Sequence, residues 1–297
     1  MHPIKILVTG ATGMLGIRIL KLLKSNPAYH VFSIGRSGSG SDHITCDITD
    51  IEVFAGIIEK LCPDYIVHCA ANTDIQHCEK EKDYTYKLHV LTSRLIASCT
   101  NLKKSVFIST DSVFDGSKGD YKENDFIAPL NYYALTKALA EECFINASHP
   151  SIVLRTNMFG FNEPAKSSLF EWAWNSLNQG KEISGYNNVF FNPLYVGTIA
   201  QIIVAVLEND ITGLLHIGSS EALSKYAFIQ KIADIFDFPR ELIKPFQADD
   251  KGVLKRPLNT TLNTQYFQEM SGITLPDIDI ELMKLAGDFK KQIIDQL

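Results

Sequence analysis

The chain has 297 residues, 45% apolar and 21% charged, enough to bury one large core or two closely packed ones. Its formal net charge of −6 argues against a surface built to wrap nucleic acid, while a local basic pocket for phosphates stays open. No stretch approaches the roughly 18 apolar residues of a membrane span. Met1–Lys5 runs straight into an apolar strand without a signal-peptide layout, so a cytoplasmic protein is expected.

Ile4–Thr9 reads as a strand and Met14–Lys24 as a helix. A strand over His30–Ile34, a helix over Asp50–Leu61 and a strand over Asp64–Cys69 follow. Glu79–Thr100 reads as one long helix, Ser105–Ser109 as a strand, Tyr132–Ala147 as a helix and Ile152–Arg155 as a strand. Runs such as Ile6-Leu7-Val8 and Tyr65-Ile66-Val67 suit strands buried on both faces of a parallel sheet. Past Thr156 the rhythm loosens. Helices are predicted over Ser167–Asn178, Val196–Glu208 and Lys225–Phe236, with a strand at Gly213–Gly218. Pro276–Leu297 ends in a helix. The alternation predicts an α/β fold: a doubly wound parallel sheet of Rossmann type over residues 1–157. A smaller C-terminal α/β substrate domain is expected over 158–297, and segments of the two can interleave.

Strand one runs into Gly10-Ala11-Thr12-Gly13-Met14-Leu15-Gly16. Gly10 lets the chain turn, Gly13 lets backbone approach a pyrophosphate, and Gly16 lets the helix lie close to the sheet. The helix N-terminus offers free N–H groups to phosphate. Thr12, Met14 and Leu15 complete this cofactor loop. A site for NAD wants an acid at the end of strand two. Here the chain reads Gly35-Arg36-Ser37, with no acid before Asp42. Arg36 can fork onto a ribose 2′-phosphate and Ser37 can hydrogen-bond it, which favours NADP(H).

Tyr133 and Lys137 stand four apart on a predicted helix and so share a face; Tyr132 lies off it. A lysine ammonium close by stabilises a phenolate and makes the phenol a better proton donor. Thr110 ends strand five, where the crevice of such a sheet lies, and can hydrogen-bond a substrate carbonyl. The six cysteines, Cys46, Cys62, Cys69, Cys78, Cys99 and Cys143, form no C-x-x-C pair, so no metal site is expected and reduced thiols are.

These stretches, with Cys46–Asp50, Pro63–Thr73, Ser109–Gly116, Pro129–Tyr133, Leu154–Thr156 and Arg256-Pro257, resemble the extended short-chain dehydrogenase/reductases, in particular the dTDP-4-dehydrorhamnose reductase group. The resemblance implies Thr110, Tyr133 and Lys137 as the catalytic triad, Asp47-Ile48 near the adenine, and Ala70-Ala71 along the cofactor. It implies hydride transfer from NADPH to the 4-keto carbon of a nucleotide-linked 6-deoxy sugar, with Tyr133 protonating the oxygen. Related dehydratases carry Asp-Glu after the threonine; Asp111-Ser112 here argues for simple reduction. On the sugar and diphosphate side the candidates are Asp111, Val113, Arg155, Asn157, Asn192 within Phe191–Pro193, and Lys255-Arg256. The chain departs from the group at His89, where asparagine is usual, at Asn157-Met158 and at Ile75-Gln76.

The expected partner is a small nucleotide sugar, with no nucleic acid and no membrane; a homodimer is a candidate assembly. Two alternatives stand beside the reductase. One is an epimerase or short-chain reductase acting on another carbonyl. The other is a non-catalytic NADP-binding regulatory subunit resembling the methionine adenosyltransferase beta subunit.

Overall fold

The computed structural model describes residues 3–163, 168–248 and 256–294. The first half runs β1 (Ile4–Thr9), α1 (Met14–Lys24), β2 (Tyr29–Gly35), β3 (His43–Thr45), α2 (Ile51–Leu61) and β4 (Tyr65–His68). Helices α3 (Ile75–Lys80), α4 (Lys82–Tyr86) and α5 (Thr92–Ala97) follow, then β5 (Lys104–Thr110), α6 (Tyr132–Ile145) and β6 (Ser151–Thr156). The single long helix expected over Glu79–Thr100 is broken. Asp74 caps a helix that starts earlier, Glu81 leaves helical geometry at φ −107° and ψ 60°, and Lys87–Leu91 forms a π turn.

The second half contributes β7 (Met158–Phe159), α7 (Leu169–Asn178), β8 (Ile183–Tyr186), β9 (Phe190–Phe191), β10 (Leu194–Tyr195) and α8 (Val196–Glu208). It continues with β11 (Gly213–His216), β12 (Leu223–Ser224), α9 (Lys225–Ile235), β13 (Ile243–Phe246), α10 (Gln265–Ser271) and α11 (Ile278–Ile294).

Seven strands form one sheet in the order β11-β6-β5-β4-β1-β2-β3, every pair parallel. Parallel strands need helical crossovers, and those crossovers cover both faces. Successive side chains point to opposite sides of a strand. Ile6, Val8, Val106 and Leu154 accordingly join a core with α1 and α8, while Leu7, Ile66, Phe107 and Val153 pack with α2, α5 and α6. The segments interleave: α8 packs on α1, and β11, from well beyond residue 157, pairs with β6. Strand order reverses between β1 and β4, so their C-terminal ends flank the crevice where such sheets bind ligands. The remaining strands pair two by two, β7 with β10 beside α8 and α11, β8 with β13 beside α7 and α9, and β9 with β12 beside α9. Among the described residues no helix is long and apolar enough to cross a membrane, and no group of three or more histidine, cysteine or acidic side chains could hold a metal.

Candidate active site

The glycine loop lies where β1 ends. Gly10 has φ +65°, and a Cβ there would sit 2.6 Å from the backbone nitrogen of Ala70. A Cβ on Gly16 would run into the Gly10 carbonyl, so α1 could not lie this close to the turn. Gly13 caps α1 without any side-chain bond, and the first turn carries no acid. The first N–H groups of α1 therefore face the crevice unmasked, as an anion site requires. These features fit a dinucleotide pyrophosphate.

Two connected cavities share this loop. The smaller, about 170 Å³, is lined by Thr12, Arg36, Asp47, Ile48, Ala70 and Ala71 together with Cys46, Tyr84 and Leu88. Arg36 is exposed and donates to the Tyr84 hydroxyl at 3.2 Å. Asp47 accepts from the Thr49 amide at 3.0 Å and the Thr49 hydroxyl at 2.8 Å, an Asx turn that presents Ile48 to the cavity. Ser37 is exposed on the same loop but is not among the lining residues.

The larger cavity, about 480 Å³, is lined by Gly10, Gly13, Met14, Leu15 and Gly16 and by Thr110, Asp111, Tyr133, Lys137 and Asn157. Asn131 caps α6 by accepting from the Ala134 amide at 3.0 Å, which sets the helix register. That register turns Tyr133 and Lys137 to the cavity. Tyr132 falls outside it, under the Lys82 ammonium.

Electrostatically the cluster departs from the sequence-based expectation. Burial pushes the Tyr133 phenol well above its ordinary value, and a hydrogen bond with Thr110 only opposes that shift. Burial likewise pulls Lys137 down to about 7, with Glu141 opposing. The Lys137 ammonium donates to the Ile108 carbonyl at 2.6 Å and sits 3.9 Å from the Phe107 ring centre. In this arrangement desolvation outweighs any help from the lysine. The phenol stays protonated, which is the form that donates a proton.

Beside them the Asp111 carboxylate is 2% exposed. It accepts from Thr260 at 2.6 Å, Asn157 at 3.0 Å, and Thr110 and Ser112 at 3.2 Å each. Burial raises its pKa and these bonds oppose the rise. Asp111 therefore ties the end of β5 to two later segments. Asn157 reaches the cavity but spends one amide hydrogen on Asp111.

Three expected substrate contacts lie elsewhere. Val113 is fully buried in a small cluster with Phe114, Tyr121 and Leu262. The Arg155 guanidinium is clamped on Glu141, Nε to Oε1 at 2.9 Å and Nη2 to Oε2 at 2.7 Å, with side-chain exposures of 4% and 2%. Its planar fork is taken by a carboxylate inside the core, so it is not offered to a diphosphate. The Asn192 amide bridges backbone, donating to Leu262 O at 2.9 Å and accepting from Leu262 N at 2.9 Å.

Arg256 is the exception. It is exposed and lines a further cavity of about 560 Å³ with Lys225, Trp172, Tyr186 and Phe246; Ser168 belongs to both this cavity and the larger cleft. Lys255 lies outside the described residues. Lys225 was not foreseen, because a lysine opening a helix after a Ser cap reads as ordinary. Here burial lowers its pKa first and Arg256 second, marking two cations drawn together.

His89, on the π turn, is also part of the frame. Its Nε2 accepts from the Asn72 amide at 3.0 Å, so Nδ1 carries the proton toward the Thr136 hydroxyl at 2.8 Å. Thr136 in turn donates to the carbonyls of Tyr132 and Tyr133, at 3.0 Å each. The imidazole edge meets the Tyr133 ring at 5.9 Å. The departure at His89 thus couples the loop after β4 to the turn that carries Tyr133.

The dTDP-4-dehydrorhamnose reductase of Aggregatibacter actinomycetemcomitans is 30% identical over 289 residues, covering 92% of this chain and 95% of that protein. Methionine adenosyltransferase 2 subunit beta of Danio rerio is 28% identical over 301 residues, covering 99% of this chain and 90% of that one. A dTDP-4-dehydrorhamnose reductase from Bacillus anthracis, solved in complex with NADP, matches with a TM-score of 0.85 over 96% of this chain and 99% of its own. Its identity is 22%, so that likeness speaks for the fold. The family described as RmlD substrate binding domain matches residues 4–290, and the chain belongs to that family.

Proposed function

We propose that the protein is an NADPH-dependent reductase of a keto group on a nucleotide-linked deoxysugar. The observation that carries this reading is one cavity lined by the glycine loop, Thr110, Tyr133 and Lys137, continuous through Ser168 with a cavity holding Lys225 and Arg256. Residues 1–157 bind the cofactor, and 158–297 supply the substrate-side wall while α8 and β11 return to the sheet. The glycine loop and the start of α1 hold the pyrophosphate, Asp47-Ile48 and Ala70-Ala71 line the adenosine side, and Arg36 swings from Tyr84 to the 2′-phosphate. Bound NADPH supplies a hydride. Tyr133 gives its phenolic proton to the substrate oxygen, Thr110 hydrogen-bonds that oxygen beforehand, and Lys137 holds a ribose hydroxyl. Lys225 and Arg256 take the diphosphate, and the Trp172, Tyr186 and Phe246 rings offer faces to the base. Six free thiols suit a reducing compartment, so we place the protein in the cytoplasm.

The test is NADPH oxidation with a panel of 4-keto nucleotide sugars. Tyr133→Phe is expected to lower turnover by about 10²–10⁴ with cofactor affinity kept, and Tyr132→Phe to retain most of it. The relative from Danio rerio favours a second reading, an NADP-binding subunit without turnover. Tight NADP binding, no turnover on any sugar of the panel and capture of a methionine adenosyltransferase catalytic chain would replace the first reading with the second.

A further inference from the structure

A cavity of about 520 Å³ lies between α1, the start of α8 and α11, and shares no lining residue with the cavities described above. Arg18, Lys21, Lys284 and Lys291 line it against a single carboxylate, Asp288. That sign is opposite to the net charge of the chain.

Arg18 sets its character. The side chain is 13% exposed, yet it makes no hydrogen bond among the described residues, and its one ion contact is Asp288 at 4.0 Å. That distance is beyond hydrogen-bond range. A guanidinium carries five N–H donors, and leaving them desolvated without acceptors is costly. Asp288 is already engaged by the Tyr195 hydroxyl at 2.8 Å. Lys284 is answered by Glu281 at 3.1 Å, whereas Lys21 and Lys291 have no acidic partner among the described residues. With the Lys284–Glu281 pair set aside, Arg18, Lys21 and Lys291 face one carboxylate across a cavity of ordinary small-molecule size.

We propose that this cavity binds a phosphate ester carrying at least two negative charges. The Arg18 fork takes the phosphate, Lys21 and Lys291 flank it, and Leu22 and Ala200 pack against the organic part. The proposal does not depend on the reductase reading, since none of its residues belongs to the cofactor or sugar side.

The test is titration calorimetry on the full chain loaded with one equivalent of NADP, in an Arg256→Ala background that weakens the competing diphosphate cavity. Sodium pyrophosphate is the first probe; ATP and glucose 6-phosphate follow, to tell a nucleoside phosphate from a sugar phosphate. Pyrophosphate and at least one ester are expected to bind at millimolar concentration or below, more weakly as salt rises. Lys21→Gln/Lys291→Gln changes two exposed side chains. It is expected to lower affinity about tenfold or more, with melting temperature and NADP affinity unchanged. Arg18→Gln is expected to do the same. No binding in the Arg256→Ala protein, binding of pyrophosphate but of neither ester, or equal affinity in the double lysine variant would each overturn the proposal.

Discussion

Replacing Glu141 by leucine separates a cation that holds the fold from one that holds substrate. Glu141 and Arg155 meet through two parallel bonds of 2.9 and 2.7 Å, with side chains 2% and 4% exposed. Ser109 adds a third bond to the same carboxylate. Without Glu141, Arg155 keeps, among the described residues, hydrogen bonds to the His216 ring at 3.3 Å and the Glu123 carbonyl at 3.5 Å and a place over the Phe114 ring, none of them a paired carboxylate. Removing one partner of a buried pair strands the other charge, which costs about 3–5 kcal/mol. For a chain of this length that is a fall in melting temperature on the order of 10 °C. Urea unfolding followed by circular dichroism, with calorimetric scans beside it, reads both quantities. The double variant Glu141→Leu/Arg155→Met is expected to recover most of the loss, because no charge is left unpaired. A loss below about 1 kcal/mol, the size of a solvated surface pair, would refute the reasoning. So would an Arg155→Met protein of unchanged stability that binds dTDP more weakly, which would return Arg155 to the diphosphate.

Three further outcomes are expected. Arg36→Ala should weaken NADPH about tenfold or more and leave NADH nearly unchanged in equilibrium titrations, since only the 2′-phosphate loses a charge-assisted bond; equal effects on both would remove Arg36 from cofactor choice. Gly10→Ala places a Cβ 2.6 Å from the Ala70 nitrogen at φ +65°, so both melting temperature and NADP affinity should drop, and an unchanged pair of values would contradict the loop geometry. Lys137 titrates near 7 when folded and about 10.4 when unfolded, so between those values the unfolded chain holds a proton the folded chain lacks. Unfolding free energy should therefore rise with pH across that window, and this contribution should fall away as pH drops toward 7. Lys137→Met is expected to flatten the rise, which pH-resolved urea unfolding measures.

The sheet could be read in the sequence because its strands are buried on both faces and each is short, apolar and followed by a helical period. Several pieces that escaped reading are too short to show a period, whether buried or not. β3 has three residues, none fully buried, and β7, β9, β10 and β12 have two each. The supposed long helix fails for the opposite reason. Leu88, Val90 and Ile96 stay buried through the π turn and into α5, so the apolar pattern runs on while the backbone does not. Within the site, Tyr133 and Lys137 were readable because one helical turn relates them, and Thr110 because a strand end locates it. Arg155 was misread as a ligand residue because an arginine at the end of a buried strand looks free when taken alone. Its direction nonetheless follows from the strand. Val153 and Arg155 are two apart on β6 and so share a face, and Val153 packs in the cluster that includes Ala140 and Phe144 of α6. A cation on that face points under α6, where Glu141 stands four residues beyond Lys137 on the helix's buried side. Lys225 and Arg256, by contrast, meet because α9 and a segment 31 residues later converge on one cavity. No local period relates such a pair, so only the folded chain brings it into view.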